Sequence, residues 1–291
     1  MALTFHKLHP HFAAEVSPIV LRDVHHRDTL EQIRAGMDKY AVLVFHEQFL
    51  TDGEHIAFAQ RFDGLLHTKT GISALRKSRL GNEALADISN IDETGNILKS
   101  DDRRRMYGLG NRLWHTDASF QDPPGRYSML SAKVIPPIGA DTQFADMRAA
   151  YDALSAELKA QLDGLRVHHS IAYSRQVLGF EFSEKEQDML KGAVHPLIRV
   201  LPGSGRKSLY VASHASRIID WPVPEGRLLL RELIEHATEP QFVYRHVWRE
   251  GDLVIWDNRA TMHRATPFAD GRFRRELRRV TTLDVPLPAA T

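Results

Sequence analysis

The sequence has no cysteine among its 291 residues, and this absence excludes two kinds of site. A disulfide framework and a thiolate metal centre both need cysteine, so any metal must be held by nitrogen and oxygen ligands. A structural zinc centre is therefore disfavoured. A strong charge of one sign is also missing, because 38 Lys and Arg residues stand against 37 Asp and Glu residues. Nucleic-acid binders and membrane-surface binders usually carry a clustered basic excess, so we expect neither partner.

Long apolar runs are absent too, since no window approaches the length of a membrane span. The stretch MALTFHKLHPHFAAEV is interrupted by charged, His and Pro residues, whereas a signal peptide needs an uninterrupted apolar segment. We therefore predict a cytoplasmic protein. At 43% hydrophobic residues the chain can bury a large core, and we predict one elaborated domain over residues 1–291.

Several segments carry the signals of helices. The pairs Thr51 with Glu54 and Ser183 with Glu186 have the spacing of a capping box, which predicts that a helix begins at each pair. Apolar residues at three- and four-residue intervals predict further helices in ADMRAAYDAL, SAELKAQLDGL and PEGRLLLRELIEHA.

Short runs rich in β-branched and aromatic residues predict strands. They are AVLVF, RYSMLSAKVI, RVHHSIAY, HPLIRVL, SLYVA, QFVYRHVW, DLVIWD and RELRRVTTL. Because these runs do not alternate regularly with helices, an antiparallel sandwich or barrel with helices packed outside is favoured over a parallel sheet. Residues 65–110 are the least regular stretch, which is typical of a functional lid or of a disordered loop.

The segment LWHTDASF contains a candidate metal site. His115 and Asp117 are two residues apart, so on an extended backbone both side chains point to one face and can chelate one ion. In a chain with 16 histidines such a pair is a weak signal, because a hydrogen-bonded polar pair explains it equally well. The best third ligand is His263, which follows the strand DLVIWD and a turn. Two imidazoles and one carboxylate suit non-haem Fe(II), although zinc could occupy the same ligands.

The segment RFRRELRRVTTL predicts a strand with arginines on both faces. Arg275 and Arg279 share a face with the apolar Leu277, which marks that face as the inner one. An unpaired charge in a core is costly, so an anion partner is expected. The two α-carbons would be roughly 13 Å apart, and a small dicarboxylate between a metal and the far arginine fits this layout. Arg274 and Arg278 are predicted to lie on the opposite, solvated face.

Four motifs, WHTD, GADT, WDNRATMHRA and RRELRR, together resemble the taurine and 2,4-dichlorophenoxyacetate dioxygenase family (TauD/TfdA) of Fe(II)/2-oxoglutarate enzymes. The likeness runs from LHPHFAA through RYSMLSAKVIPPIGADTQFADMRAAYDAL to RRELRRVTTLD, nearly the whole chain, and is stronger to the 2,4-dichlorophenoxyacetate members. The resemblance implies a mainly β protein with flanking helices and a double-stranded β-helix (jelly-roll) core. Residues 65–110, the irregular stretch expected to form a substrate lid, depart most from the family pattern, so the resemblance specifies the reaction type more closely than the substrate.

The resemblance also implies roles for individual residues. His115, Asp117 and His263 match the iron ligands of the family. Thr142 and Arg275 match the residues that hold the distal carboxylate of 2-oxoglutarate, a role that suits a hydroxyl donor and a bidentate guanidinium.

The substrate side is less specified. Arg279 is expected near the metal, at the other carboxylate of the cosubstrate or at the carboxylate of the substrate. Asn111 matches a substrate-side position of the family. His214 is expected either to line the pocket or to be a hydrogen-bonded core histidine. Lys69 and Lys99 are either solvated or attract an acidic substrate from the lid.

The implied reaction is hydroxylation of the ether-linked CH₂ of an aryloxyacetate such as 2,4-dichlorophenoxyacetate. Fe(II), 2-oxoglutarate and O₂ are the implied cofactor and cosubstrates, and the products are a phenol, glyoxylate, succinate and CO₂. Alternatives are a related dioxygenase acting on a sulfonate, a 2-aryloxypropionate or another arylalkyl acid, a zinc hydrolase, and a non-catalytic β-barrel binding module. The expected partner is thus a small aromatic acid, and related enzymes imply a homo-oligomer.

Overall fold

The computed structural model describes residues 2–68 and 79–286, and strands dominate this part of the chain. The strands are β1 (Thr4–Lys7), β2 (Ala14–Ser17), β3 (Val42–Phe45), β4 (Ala86–Ser89), β5 (Gly125–Val134), β6 (Thr142–Asp146), β7 (Arg166–His169), β8 (Ala193–Pro196), β9 (Ile198–Val200), β10 (Lys207–Leu209), β11 (Ala215–Ile218), β12 (Val243–His246), β13 (Leu253–Asp257), β14 (Thr261–Ala265) and β15 (Glu276–Leu283).

The strands form one large sheet that faces smaller sheets across a shared core. The large sheet has the order β1-β2-β3-β13-β5-β15-β4, and the smaller ones are β12-β6-β14, β11-β7-β8 and the hairpin β9-β10. All pairings are antiparallel except that of β2 with β3. Phe144 on β6 and Trp256 on β13 pack with ring centroids 5.4 Å apart, which fills the space between the sheets. This arrangement confirms the predicted jelly-roll core.

Helices cover the outer faces of this core. They are α1 (Arg27–Tyr40), α2 (Asp52–Asp63), α3 (Arg103–Gly108), α4 (Met147–Asp152), α5 (Ala156–Leu162), α6 (Ile171–Gln176), α7 (Glu184–Asp188) and α8 (Val223–Ala237). Ile33 of α1 and Phe58 of α2 pack in one apolar cluster with Phe45 of the large sheet. Leu230 of α8 and Met147 of α4 belong to a second cluster, on the side of the smaller sheets. In residues 2–68 and 79–286, no helix combines the length and the apolar character that a bilayer crossing requires.

Both predicted capping boxes are present. The Thr51 amide donates to the Glu54 carboxylate at 2.7 Å, and the Ser183 amide donates to Glu186 at 2.9 Å, so α2 and α7 begin as expected. The predicted helices at α4, α5 and α8 are confirmed as well. The long helix α1 is an addition to the predicted elements.

Two local predictions are wrong. The strand predicted for RVHHSIAY ends at His169, because the Ser170 hydroxyl accepts a hydrogen bond from the Tyr173 amide at 3.2 Å and caps α6. Arg278 is buried rather than solvated, because α2 packs against β15 and covers this face of the large sheet. The buried guanidinium is compensated by ion pairs with Glu276 and, at 3.4 Å, with Asp87. Arg274 is exposed, as predicted.

The buried His55 of α2 makes the stability of the fold depend on pH. Burial, with a contribution from the nearby Lys133 charge, lowers the pKa of His55 to about 3, against 6.5 in the unfolded chain. Below pH 6.5 the unfolded chain therefore binds a proton that the folded chain does not, and the free energy of unfolding falls. We expect His55 to account for about 2 kcal/mol of the loss between pH 7 and pH 5.

Urea denaturation of the wild type and of His55→Leu at both pH values measures this contribution. The apolar variant has no imidazole to protonate, so its free energy of unfolding should fall by about 2 kcal/mol less than that of the wild type. An equal fall in both proteins would contradict the assignment.

Candidate active site

A backbone bridge brings the two predicted histidine ligands together. The His115 amide donates to the His263 carbonyl at 3.0 Å, and the His263 amide donates to the His115 carbonyl at 2.8 Å. The two imidazole centroids are consequently 4.1 Å apart. Asp117 completes the group, with its carboxylate oxygens 4.0 Å from His115 Nε2 and 3.7 Å from His263 Nε2. All three side chains are buried, and each offers a ligand atom within 4.8 Å of the others.

The three groups are in the protonation states that metal binding requires. Burial lowers the pKa of His115 to about 4 and that of His263 well below 6.5, so both imidazoles are neutral. Burial alone would raise the pKa of Asp117, but the nearby Arg279 guanidinium and the hydrogen bond from Ser128 lower it, and the pKa is about 2. His115 Nδ1 donates to the Leu113 carbonyl at 2.8 Å, which leaves the Nε2 lone pair for a metal. This donor set fits ferrous iron.

Two side chains hold Asp117 in place, and the sequence analysis identified neither of them. Ser128 on β5 donates its hydroxyl proton to Asp117 Oδ2 at 2.7 Å. Asn258 donates from Nδ2 to Ser128 Oγ at 2.9 Å and accepts from the Asp117 amide at 3.1 Å. The only sequence signal for Asn258 is its place in the turn of WDNR that leads from β13 to His263. Such partners of a ligand fix its orientation and its basicity.

The triad opens into a cavity of about 450 Å³. Eight of the predicted site residues line it: Asn111, His115, Asp117, Thr142, His214, His263, Arg275 and Arg279. Lys99 is exposed and lies outside these walls. Lys69 lies outside the described residues.

One wall of the cavity carries a buried guanidinium and a hydroxyl group, which are suited to bind a carboxylate. Arg275 is buried, and its Nε has no hydrogen-bond partner. Burial lowers the pKa of Arg275 to about 10, so the guanidinium remains charged at neutral pH. No ion pair forms to it within residues 2–68 and 79–286. Thr142 accepts a hydrogen bond from Trp248 Nε1 at 3.0 Å, which leaves the hydroxyl proton available to an anion.

Arg279 of β15 lines the same cavity as Arg275, which precedes it by four residues, and forms an ion pair with Asp117. It therefore lies on the side of the cavity that carries Asp117. Parts of the segment 65–110 also form cavity walls, among them Ile88 of β4 and Tyr107 of α3. A jelly roll that combines a buried two-histidine, one-carboxylate triad with an unpaired arginine defines the class of the Fe(II)/2-oxoglutarate-dependent dioxygenases.

Comparison with known proteins assigns the family within this class. The chain belongs to the taurine catabolism dioxygenase TauD, TfdA family, whose profile matches residues 4–281. It is 47% identical to an alpha-ketoglutarate-dependent 2,4-dichlorophenoxyacetate dioxygenase of Cupriavidus pinatubonensis strain JMP 134, over 98% of this chain and 99% of the relative. It is 36% identical to a (S)-phenoxypropionate/alpha-ketoglutarate-dioxygenase of Sphingobium herbicidovorans, over 88% of this chain and 87% of the relative.

A solved structure has the same fold as this chain. The crystal structure of AAD-2 in complex with Mn(II) and N-oxalylglycine superposes with a TM-score of 0.93 at 43% sequence identity, covering 99% of both chains. At this identity the likeness extends to the family as well as to the fold.

The hydrogen bond from Ser128 to Asp117 should strengthen metal binding. We expect Ser128→Ala to weaken Mn(II) binding about tenfold, because the carboxylate loses a donor that orients it. Titration calorimetry under anaerobic conditions measures the affinity. Ser131→Ala is the matched control, since Ser131 is a buried serine of the same strand whose hydroxyl has no hydrogen-bond partner. Equal Mn(II) affinities of the two variants would contradict the role of Ser128.

Proposed function

We propose that this chain hydroxylates the ether-linked CH₂ of an aryloxyacetate such as 2,4-dichlorophenoxyacetate, as an Fe(II)/2-oxoglutarate-dependent dioxygenase. The observation that carries the proposal is the buried, unpaired Arg275 in the same cavity as the triad, because this pair of sites suits a small dicarboxylate that also reaches the metal. The 47% and 46% identity to two 2,4-dichlorophenoxyacetate dioxygenases, over nearly the whole chain, supports this choice of substrate.

His115, Asp117 and His263 would hold the ferrous ion. Their two neutral imidazoles and one carboxylate supply three ligands and leave the remaining positions free. Bound iron would supply the activation of O₂, which side chains alone cannot perform. A zinc hydrolase has the same ligands but no evident use for the carboxylate site at Arg275.

The cosubstrate would lie between the metal and the far arginine. Thr142 and Arg275 would bind its distal carboxylate, the hydroxyl through one hydrogen bond and the guanidinium through two. Arg279 would bind a carboxylate nearer the metal, that of the cosubstrate or that of the substrate. Asn111 and His214 would contact the substrate, since both line the cavity.

The reaction balances without a side-chain base. One oxygen atom of O₂ enters the succinate formed as 2-oxoglutarate loses CO₂, and the other enters the C–H bond of the substrate CH₂. The product is a hemiacetal, which collapses to a phenol and glyoxylate. The protein contributes binding and orientation of the C–H bond, and errors of about 1 Å in that orientation can cost a hundredfold in rate.

Other expectations from the sequence belong to the same proposal. We propose a single domain over residues 1–291 in which residues 65–110 cover the substrate, supported by the cavity walls that β4 and α3 provide. Lys69 and Lys99 would attract the acid from this lid. A cytoplasmic homo-oligomer is the predicted form of the protein.

Aerobic turnover with Fe(II) and 2-oxoglutarate tests the activity. We expect one phenol released per succinate formed with 2,4-dichlorophenoxyacetate, and lower kcat/KM with (S)-2-phenoxypropionate and with an alkyl sulfonate. His115→Ala should lose turnover because the metal loses a ligand, whereas the exposed His25→Ala should keep it. Full turnover of His115→Ala, or activity supported by Zn(II) without 2-oxoglutarate, would overturn the proposal.

A further inference from the structure

Five arginines are buried in the part of the chain that the structure describes: Arg148, Arg175, Arg259, Arg275 and Arg278. Three of them are paired with carboxylates of the protein. Arg148 pairs with Asp146 at 2.9 Å and Arg259 with Asp257 at 2.7 Å, while Arg278 pairs with Glu276. Arg175 and Arg275 have no such partner within residues 2–68 and 79–286. Because a buried charge without a counter-ion is costly, each of these two guanidiniums is a candidate site for an external anion.

Both unpaired arginines line the cavity, and the other arginines of its walls are paired. The ion pairs are Arg79 with Asp87, Arg104 with Glu93, Arg105 with Asp270, Arg112 with Asp270, and Arg279 with Asp117. The distal carboxylate of 2-oxoglutarate accounts for Arg275 in the proposed function. Arg175 pairs neither with a carboxylate of the protein nor with the cosubstrate, which indicates that the cavity binds a second anion.

The side chains that contact the Arg175 guanidinium directly are neutral. Its Nη1 donates to Ser174 Oγ at 3.0 Å, and its Nη2 donates to Asn111 Oδ1 at a long 3.4 Å. The Tyr107 ring centroid is 4.9 Å from Cζ, and Nε has no partner. A guanidinium has five N–H donors in a fixed plane. Several of them therefore remain available to a carboxylate.

The sequence leaves space for this guanidinium at Gly110. A β-carbon at that position would lie 2.3 Å from Arg175 Cζ, so only glycine allows the side chain to lie flat against the turn that carries Asn111. Arg175 is thus held between α6 and the segment that precedes the triad.

A short chain of contacts connects Arg175 to the metal site. Ser174, which accepts from Arg175, is also 3.0 Å from His214 Nδ1, and the His214 ring centroid is 6.0 Å from that of His115. The Phe120 ring meets His214 edge-on at 5.2 Å, which adds an aromatic wall. An anion at Arg175 and an aromatic ring against this wall would both lie near the iron ligands. A guanidinium and an aromatic wall at these positions suit a ligand that carries both a carboxylate and an aromatic ring.

We propose that Arg175 binds the carboxylate of the aromatic acid substrate and, with Asn111 beside it, makes the enzyme select acids over neutral analogues. This inference rests on the proposed function, because it takes the cavity to hold 2-oxoglutarate at Arg275. It adds a residue that the family motifs in the sequence do not include.

Steady-state kinetics with an acid and its neutral amide test the proposal. The probes are 2,4-dichlorophenoxyacetate and 2,4-dichlorophenoxyacetamide. Arg175→Gln should raise the KM for the acid about 10- to 100-fold, because a charge-assisted hydrogen-bond pair is lost. The KM for 2-oxoglutarate and the kcat/KM for the amide should stay within about twofold. Arg175→Lys should restore part of the preference for the acid.

Arg112→Gln is the matched control. Arg112 also lines the cavity, but Asp270 already pairs with it and keeps Arg105 as a partner when Arg112 is removed. The KM of the Arg112→Gln variant for the acid should therefore equal that of the wild type. The variant Asn111→Asp is a second test if Arg175→Gln fails to fold. A carboxylate at this position would pair with Arg175 internally, and the ratio of kcat/KM for acid over amide should fall about tenfold or more.

The outcomes separate the two claims. A folded Arg175→Gln variant with an unchanged KM for the acid, or with a raised KM for 2-oxoglutarate instead, overturns the role of Arg175. An unchanged acid-to-amide ratio in Asn111→Asp does the same. A wild-type enzyme that neither binds nor converts any aryloxyacetate overturns the proposed function itself.

Discussion

Two backbone hydrogen bonds between His115 and His263 are the constraint on which the site depends. They join a loop to β14, far away in the chain, and they place the two imidazoles side by side. Asp117 follows two residues later and is held by Ser128 and Asn258, so its position is set by the same local framework. The metal site is thus prepared by the fold, and its ligands need little rearrangement to bind an ion.

The second feature of the site is the distribution of buried charge. A jelly-roll core has no room for solvated arginines, and most buried arginines here are neutralised by a nearby carboxylate. Arg175 and Arg275 are the exceptions among the described residues, and both face the cavity. Leaving them unpaired costs stability in the free protein, and that cost is recovered when anions bind. In the proposed function, this arrangement favours an acid substrate and a dicarboxylate cosubstrate.

The sequence predicted the parts of the site that depend on local spacing. The His-x-Asp pair, the return of the chain at His263 and the inner face with Arg275 and Arg279 follow from strand periodicity, and the family motifs add Thr142. The sequence failed where the answer depends on what lies across the fold. Arg278 was expected on a solvated face because one face of its strand was apolar. Helix α2, however, packs against β15 and covers the face that was expected to be solvated.

Arg175 could not have been singled out for a similar reason. It follows RVHHSIAY, a run that resembles a strand until the Ser170 cap is recognised, and only the tertiary structure shows that no carboxylate reaches its guanidinium. The most direct test of the account is an anaerobic crystal structure with Mn(II), 2-oxoglutarate and 2,4-dichlorophenoxyacetate. It should show Mn(II) on His115, Asp117 and His263, with the distal carboxylate of the cosubstrate on Arg275 and the substrate carboxylate about 3 Å from Arg175. A metal bound elsewhere, or a dicarboxylate away from Arg275, would contradict it.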